Sequence, residues 1–133
     1  KVKLTDIINV HDCGRLINPA LAQAQVHGGM SMGIGYGMSE YLQFDEKTGR
    51  TLNDNLLDYK LSTCMDHPHL EGEFVENYEP TSVYGTKALG EPPVCSVAPA
   101  IRNAILQATG VGVNELPLNP HHLFKAFSEA GLV

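Results

Sequence analysis

Three glycines spaced four residues apart, Gly29, Gly33 and Gly37, fall inside a single predicted helix. No other feature restricts the fold of this chain as strongly. The helix has a clear start: Asn18 is a good N-cap, and Pro19 suits the first helical position, where its missing N–H is not needed. The pattern predicts a helix from Pro19 to about Leu42, with Gly28 and Gly35 also in its interior. Each interior glycine costs about 1 kcal/mol relative to alanine, so the five together cost roughly 4–5 kcal/mol. That is about half the net stability of a small domain, and something must offset it. Positions four apart share one helix face, so Gly29, Gly33 and Gly37 form a bare stripe. Such a stripe admits another backbone, or a flat ligand, at close range. Two readings follow: tight packing against a second helix, or direct ligand contact along the stripe. The same spacing occurs in membrane helices, but the polar neighbours here argue against that setting.

The rest of the chain reads as mixed α+β. Lys1 to Val10 is rich in Val, Leu and Ile and predicts a strand, followed by a turn at Asp12-Cys13-Gly14-Arg15. Asp45 to Arg50 has the composition of a hairpin-type turn flanked by short strands. Asn53 to Asp66 has no clear period and reads as an extended loop, and Glu71 to Asn77 alternates as a strand. Thr81 to Pro93 is a loop punctuated by glycine and proline. Val94 to Thr109 predicts a second helix closed by Gly110, with Pro99 as an alternative start. Pro120 to Ala130 predicts a third, closed by Gly131. The expected architecture is one long glycine-rich helix and two shorter ones, packed on a small mixed sheet.

Several function classes are disfavoured. A net charge of −6 gives no attraction to phosphate backbones, so neither nucleic acid nor an anionic membrane is an expected partner. No apolar run approaches the roughly 18 residues of a membrane span. Lys1-Val2-Lys3-Leu4 lacks the zones of a signal peptide, which leaves the cytoplasm as the default expectation. At 133 residues and 43% apolar, the chain can form one domain with a core, or part of a larger one. It opens without Met and directly on strand-like sequence, so it is expected to be a piece of a longer protein. Cys13, Cys64 and Cys95 are far apart and form no C-x-x-C pair, which argues against an iron–sulfur or zinc site within the chain. His67 and His69, and His121 and His122, fall short of the three or four converging ligands a metal needs. Gly33-x-Gly35-x-Gly37 lies inside a helix and lacks phosphate-loop spacing.

Glu91 stands between Gly90 and the pair Pro92-Pro93. The prolines fix backbone direction and remove two N–H donors, so the loop holds one carboxylate with little freedom. A rigid carboxylate suits general-base catalysis, which needs base and proton within about 3 Å. By composition alone it reads rather as a glutamate that caps the following helix or stands in solvent.

The run Tyr84-Gly85-Thr86-Lys87-Ala88-Leu89-Gly90-Glu91-Pro92-Pro93 resembles the active-site loop of the xanthine dehydrogenase/aldehyde oxidase family. A second block resembles the same family in the expected order: Asp12-Cys13-Gly14, Ile17-Asn18-Pro19, Gln25-Val26-His27-Gly28-Gly29 and Gly33-Ile34-Gly35. The Tyr59-Lys60 stretch fits the spacing, and the likeness runs from about Val2 to about Phe127. His27 stands where many relatives carry an acidic residue.

The resemblance implies that this is the C-terminal part of a molybdopterin-binding catalytic domain. Glu91 would be the base that deprotonates a molybdenum-bound hydroxyl group. Gln25, Gly90 and Lys87 would contact the molybdopterin cofactor. The implied reaction hydroxylates a purine such as hypoxanthine or xanthine, a related small heterocycle, or an aldehyde. FAD and iron–sulfur clusters of the 2Fe–2S type would sit on partner subunits or domains. The remaining pocket walls would come from the upstream part of the same subunit, so the isolated chain is expected to be inactive and to self-associate. The competing reading is a non-catalytic module that docks a partner through its glycine-stripe helix.

Overall fold

The computed structural model describes residues 2–133. The expected α+β architecture is present. Its centre is the glycine-rich helix α1, Pro19–Met38. Strand β1, Asp6–His11, runs into it, and strand β2, His69–Phe74, follows a long connection. Next come a 3₁₀ turn at Val83–Gly85, a four-residue helix α2 at Pro92–Cys95, α3 at Val97–Thr109 and α4 at Pro120–Glu129.

The two strands pair in parallel, from Asp6 opposite His69 to His11 opposite Phe74. Parallel neighbours need a crossover, and α1 supplies it. The sheet is therefore narrower than the small mixed one expected, and consists of two parallel strands.

Helix α1 is buried on two sides, which explains its apolar character around most of its circumference. Val26, Met30 and Ile34 join Val97, Ile101, Ile105, Val113, Leu118 and Leu123 in one core. The glycine stripe faces α2 and α3. A methyl group at Gly29 would lie 2.4 Å from Pro93 Cβ, and one at Gly33 would lie 2.5 Å from Val97 Cβ. At Gly37 the nearest atom would be Ala98 Cβ, 3.3 Å away. Close packing, rather than a ligand along the stripe, offsets the helical cost of these glycines. It also removes the stripe as a free surface for docking a partner.

Several boundaries differ from expectation. Helix α1 ends at Met38, not Leu42, because other groups take its last carbonyls. The Ser39 and Glu40 N–H groups both donate to Gly35 O, each at 2.9 Å, and Leu118 N–H donates to Gly37 O at 2.7 Å. Strand β1 begins at Asp6, where its partner begins; Val2 and Leu4 pack on the core without pairing, and Lys1 lies outside the described residues. Strand β2 is His69–Phe74 rather than Glu71 to Asn77, since pairing with β1 sets its register. The Asp45–Arg50 turn is flanked by a single bridge, Phe44 to Thr51, and not by strands. The second helix is interrupted at Ser96, so it begins earlier, at Pro92, as two pieces. Pro99 lies in the first turn of α3, where a missing N–H is tolerated.

Candidate active site

Two sequence blocks meet where β1 leads into α1 and where the 84–93 loop leads into α2. The seam between them is mostly backbone. Arg15 N–H donates to Gly85 O at 2.8 Å, and Lys87 N–H donates to Cys13 O at 2.7 Å. Gly14 makes this approach possible. Its φ is +68°, and a Cβ there would lie 2.3 Å from Gly85 O.

One side-chain pair locks the same seam. Lys87 Nζ lies 2.6 Å from Asp12 Oδ2, while Asp12 Oδ1 accepts from Gly14 N–H at 2.9 Å. The Lys87 ammonium, and next the Gly14 N–H, hold the Asp12 carboxyl below the usual carboxylate range. A carboxyl whose folded pKa lies below its unfolded value adds stability above the unfolded value. That stability is lost as pH falls through the folded value. Lys87→Met should therefore melt below the wild type at pH 7 and at pH 5. The gap should be modest, since the pair is partly exposed to water. It should close only below the ordinary value of about 3.9. Equal melting temperatures at pH 7 would show that this pair does not hold the seam.

Gln25 and the Glu91 loop are brought together directly. Gln25 lies on the exposed side of α1, and its Nε2 donates to Gly90 O at 2.9 Å. The main chain of Glu91 is fixed, with its carbonyl accepting from Val94 N–H at 3.0 Å. Its side chain is exposed and makes no capping hydrogen bond to α2, which disfavours the capping role. The ion pairs among the described residues engage Asp6, Asp12 and Glu115, leaving the Glu91 carboxylate outside them. Lys87 belongs to the same loop, but its ammonium is on Asp12.

Two further glycines stand here without an internal packing reason. A Cβ at Gly28, one turn beyond Gln25, or at Gly90 would meet nothing within 4 Å. The surface they leave is low and open beside an amide and a carboxylate. A neighbouring hollow of about 260 Å³ is lined by residues including Leu21, Ala22, Lys87 and Leu89. That is below the usual 300–1,000 Å³ of a complete ligand pocket, and Gln25, Gly90 and Glu91 lie outside its lining.

Other candidates lie apart. His27 contacts Gln23 at 2.9 Å, and His67 lies 3.0 Å from Ser31 Oγ. Among the described residues no three His, Cys, Asp or Glu side chains converge as a metal site. Among the same residues no helix is long and apolar enough to cross a membrane. Sequence reasoning missed Asn9, which is buried in β1 and donates to Pro93 O at 3.0 Å. The available signal was an asparagine amid Ile7, Ile8 and Val10.

Residues 1–68 match the model of a family described as the molybdopterin cofactor-binding domain. Over its whole length the chain is 55% identical to the putative xanthine dehydrogenase molybdenum-binding subunit of Escherichia coli K12, of which it covers 18%. It is 34% identical, over 89% of its length, to the aldehyde oxidoreductase molybdenum-binding subunit of the same organism, and covers 16% of that protein. Among solved structures, quinoline 2-oxidoreductase from Pseudomonas putida 86 superposes with a TM-score of 0.88 at 29% identity. That match covers 96% of this chain and 16% of the other.

Proposed function

The chain belongs to the molybdopterin cofactor-binding domain family, and from that premise we propose that it forms the catalytic-base wall of a molybdenum hydroxylase. The observation that carries this reading is the bond from Gln25 Nε2 to Gly90 O. It joins the two family-like blocks and leaves the adjacent Glu91 carboxylate free. The donor set suits a pterin: an amide with its oxygen uncommitted, backbone exposed at two glycines, and an anionic side chain alongside.

In this reading the Gln25 amide oxygen and the open backbone at Gly90 would help hold the cofactor. When bound, molybdopterin would supply the redox chemistry. Glu91 accepts the proton of the attacking hydroxyl group, so that its oxygen becomes a competent nucleophile. Lys87 acts as a tether of the loop through Asp12, and not as a cofactor contact. The substrate is a purine such as hypoxanthine or xanthine, or a related heterocycle. Relatives of this chain carry names with both xanthine and aldehyde substrates. Assaying the complete enzyme with xanthine and with an aromatic aldehyde separates the two. Faster turnover of xanthine supports the purine reading, and turnover of the aldehyde alone would replace it.

The chain spans 18% of the length of the xanthine dehydrogenase subunit it resembles, so the other walls are assigned to the rest of the same subunit. Flavin and iron–sulfur partners would carry the electrons away. The isolated chain leaves many large apolar side chains uncovered, among them Leu56, Leu57, Met65 and Phe124, each at least 65% exposed. Surfaces of this kind are a liability in water. Purified alone, the chain should bind no molybdenum and elute as a dimer or larger species. A monomer with stoichiometric molybdenum would show that the site is self-contained.

A further inference from the structure

Glu91 must be held as well as exposed, and the short helix that follows it cannot hold itself. Helix α2 has four residues and opens on two prolines that lack N–H groups. Its position is imposed from outside. Pro93 is buried against Gly29 of α1, and its carbonyl accepts the amide of Asn9 from β1. Asn9 is only 7% exposed, and its Oδ1 lies 3.5 Å from Ser96 Oγ, at the break between α2 and α3. One amide thus spans the start of α2 and its end.

We propose that Asn9 is a positioning residue for Glu91. This rests on Glu91 being the base. A buried asparagine is unfavourable in an apolar strand unless its hydrogen bonds are met. Here they are met by the element that carries Glu91. The anchors bracket the base: Gln25 holds Gly90 O on one side, and Asn9 holds Pro93 O on the other. The Gln25 side chain is exposed, so water competes for its bond. The Asn9 bond is shielded, and losing it strands a buried carbonyl.

The test is made in the complete molybdenum enzyme with Asn9→Leu, which removes both donor and acceptor at similar shape and suits an apolar strand. Asn9→Ala serves as a second variant should the leucine impair folding. A misplacement on the ångström scale costs up to about 10²-fold in rate. Either folded variant should lower kcat about 10- to 100-fold, with KM within about twofold and molybdenum content unchanged. Amide hydrogen exchange should quicken at Val94, whose N–H donates to the Glu91 carbonyl, and stay unchanged in β2. Combined with Glu91→Gln, the Asn9 variants should cost nothing further, because the carboxylate they position is gone. Wild-type kcat in a folded Asn9 variant, or an undiminished loss in the Glu91→Gln background, would overturn the positioning role. If Glu91→Gln itself turns over normally, the base assignment falls, and the positioning role falls with it.

Discussion

Gly33→Leu is expected to destabilise the protein severely, while the neighbouring Met32→Leu is expected to leave it nearly unchanged. The added side chain at position 33 would begin 2.5 Å from Val97 Cβ, and Val97 is itself only 2% exposed. Neither side can yield without moving a helix. Overpacking typically costs about 1–3 kcal/mol, and a leucine facing a helix contact this close should reach or exceed the top of that range. Met32 is 58% exposed, so exchanging it for leucine alters little burial. The damage should not stop at stability. The same stripe seats Pro93 against Gly29, two residues from Glu91. Shifting α3 away from α1 should therefore disturb the loop that carries the base, and cofactor loading should fall as well. Thermal melts of the two variants decide the matter. Equal melting temperatures would mean that position 33 tolerates a side chain and that the stripe is not a packing seam.

Much of this was legible in the sequence where the cause is local. Asn18 and Pro19 mark the start of α1, and the Asn18 side chain does accept the Leu21 N–H. Gly110 and Gly131 close α3 and α4 at φ +73° each, as glycines past a helix end should. The end of α1 was not fully legible, because one of the groups on its last carbonyls, the Leu118 N–H, comes from far along the chain. The register of β2 was not legible either, since it depends on β1 and not on its own alternation. The glycine stripe could be seen but not its occupant, which required the fold.

The site divides in the same way. Glu91 and Gln25 stand out in motifs, yet their proximity through Gly90 is tertiary. Lys87 read as a cofactor contact, and only the fold gives it Asp12 as partner. Asn9 left a faint mark, one polar residue in an apolar strand. A single substitution in a periodic pattern does not say what it bonds to.

Glu91→Gln in the complete enzyme is expected to slow turnover by at least about 10²-fold, the low end of general-base contributions. Glutamine keeps the shape of glutamate and removes its capacity to take a proton. The loop should not move, because its anchors are elsewhere: Gln25 on Gly90 O, Asn9 on Pro93 O, and Val94 N–H on the Glu91 main-chain carbonyl. The Glu91 side chain makes no capping bond whose loss could unfold α2. Structure and molybdenum content should therefore match the wild type while the rate falls. The decisive measurement is kcat together with molybdenum stoichiometry on one preparation of the Glu91→Gln enzyme. Full molybdenum with turnover reduced at least about 10²-fold is the expected result. Full molybdenum with near-normal turnover would contradict it and remove Glu91 from the chemistry.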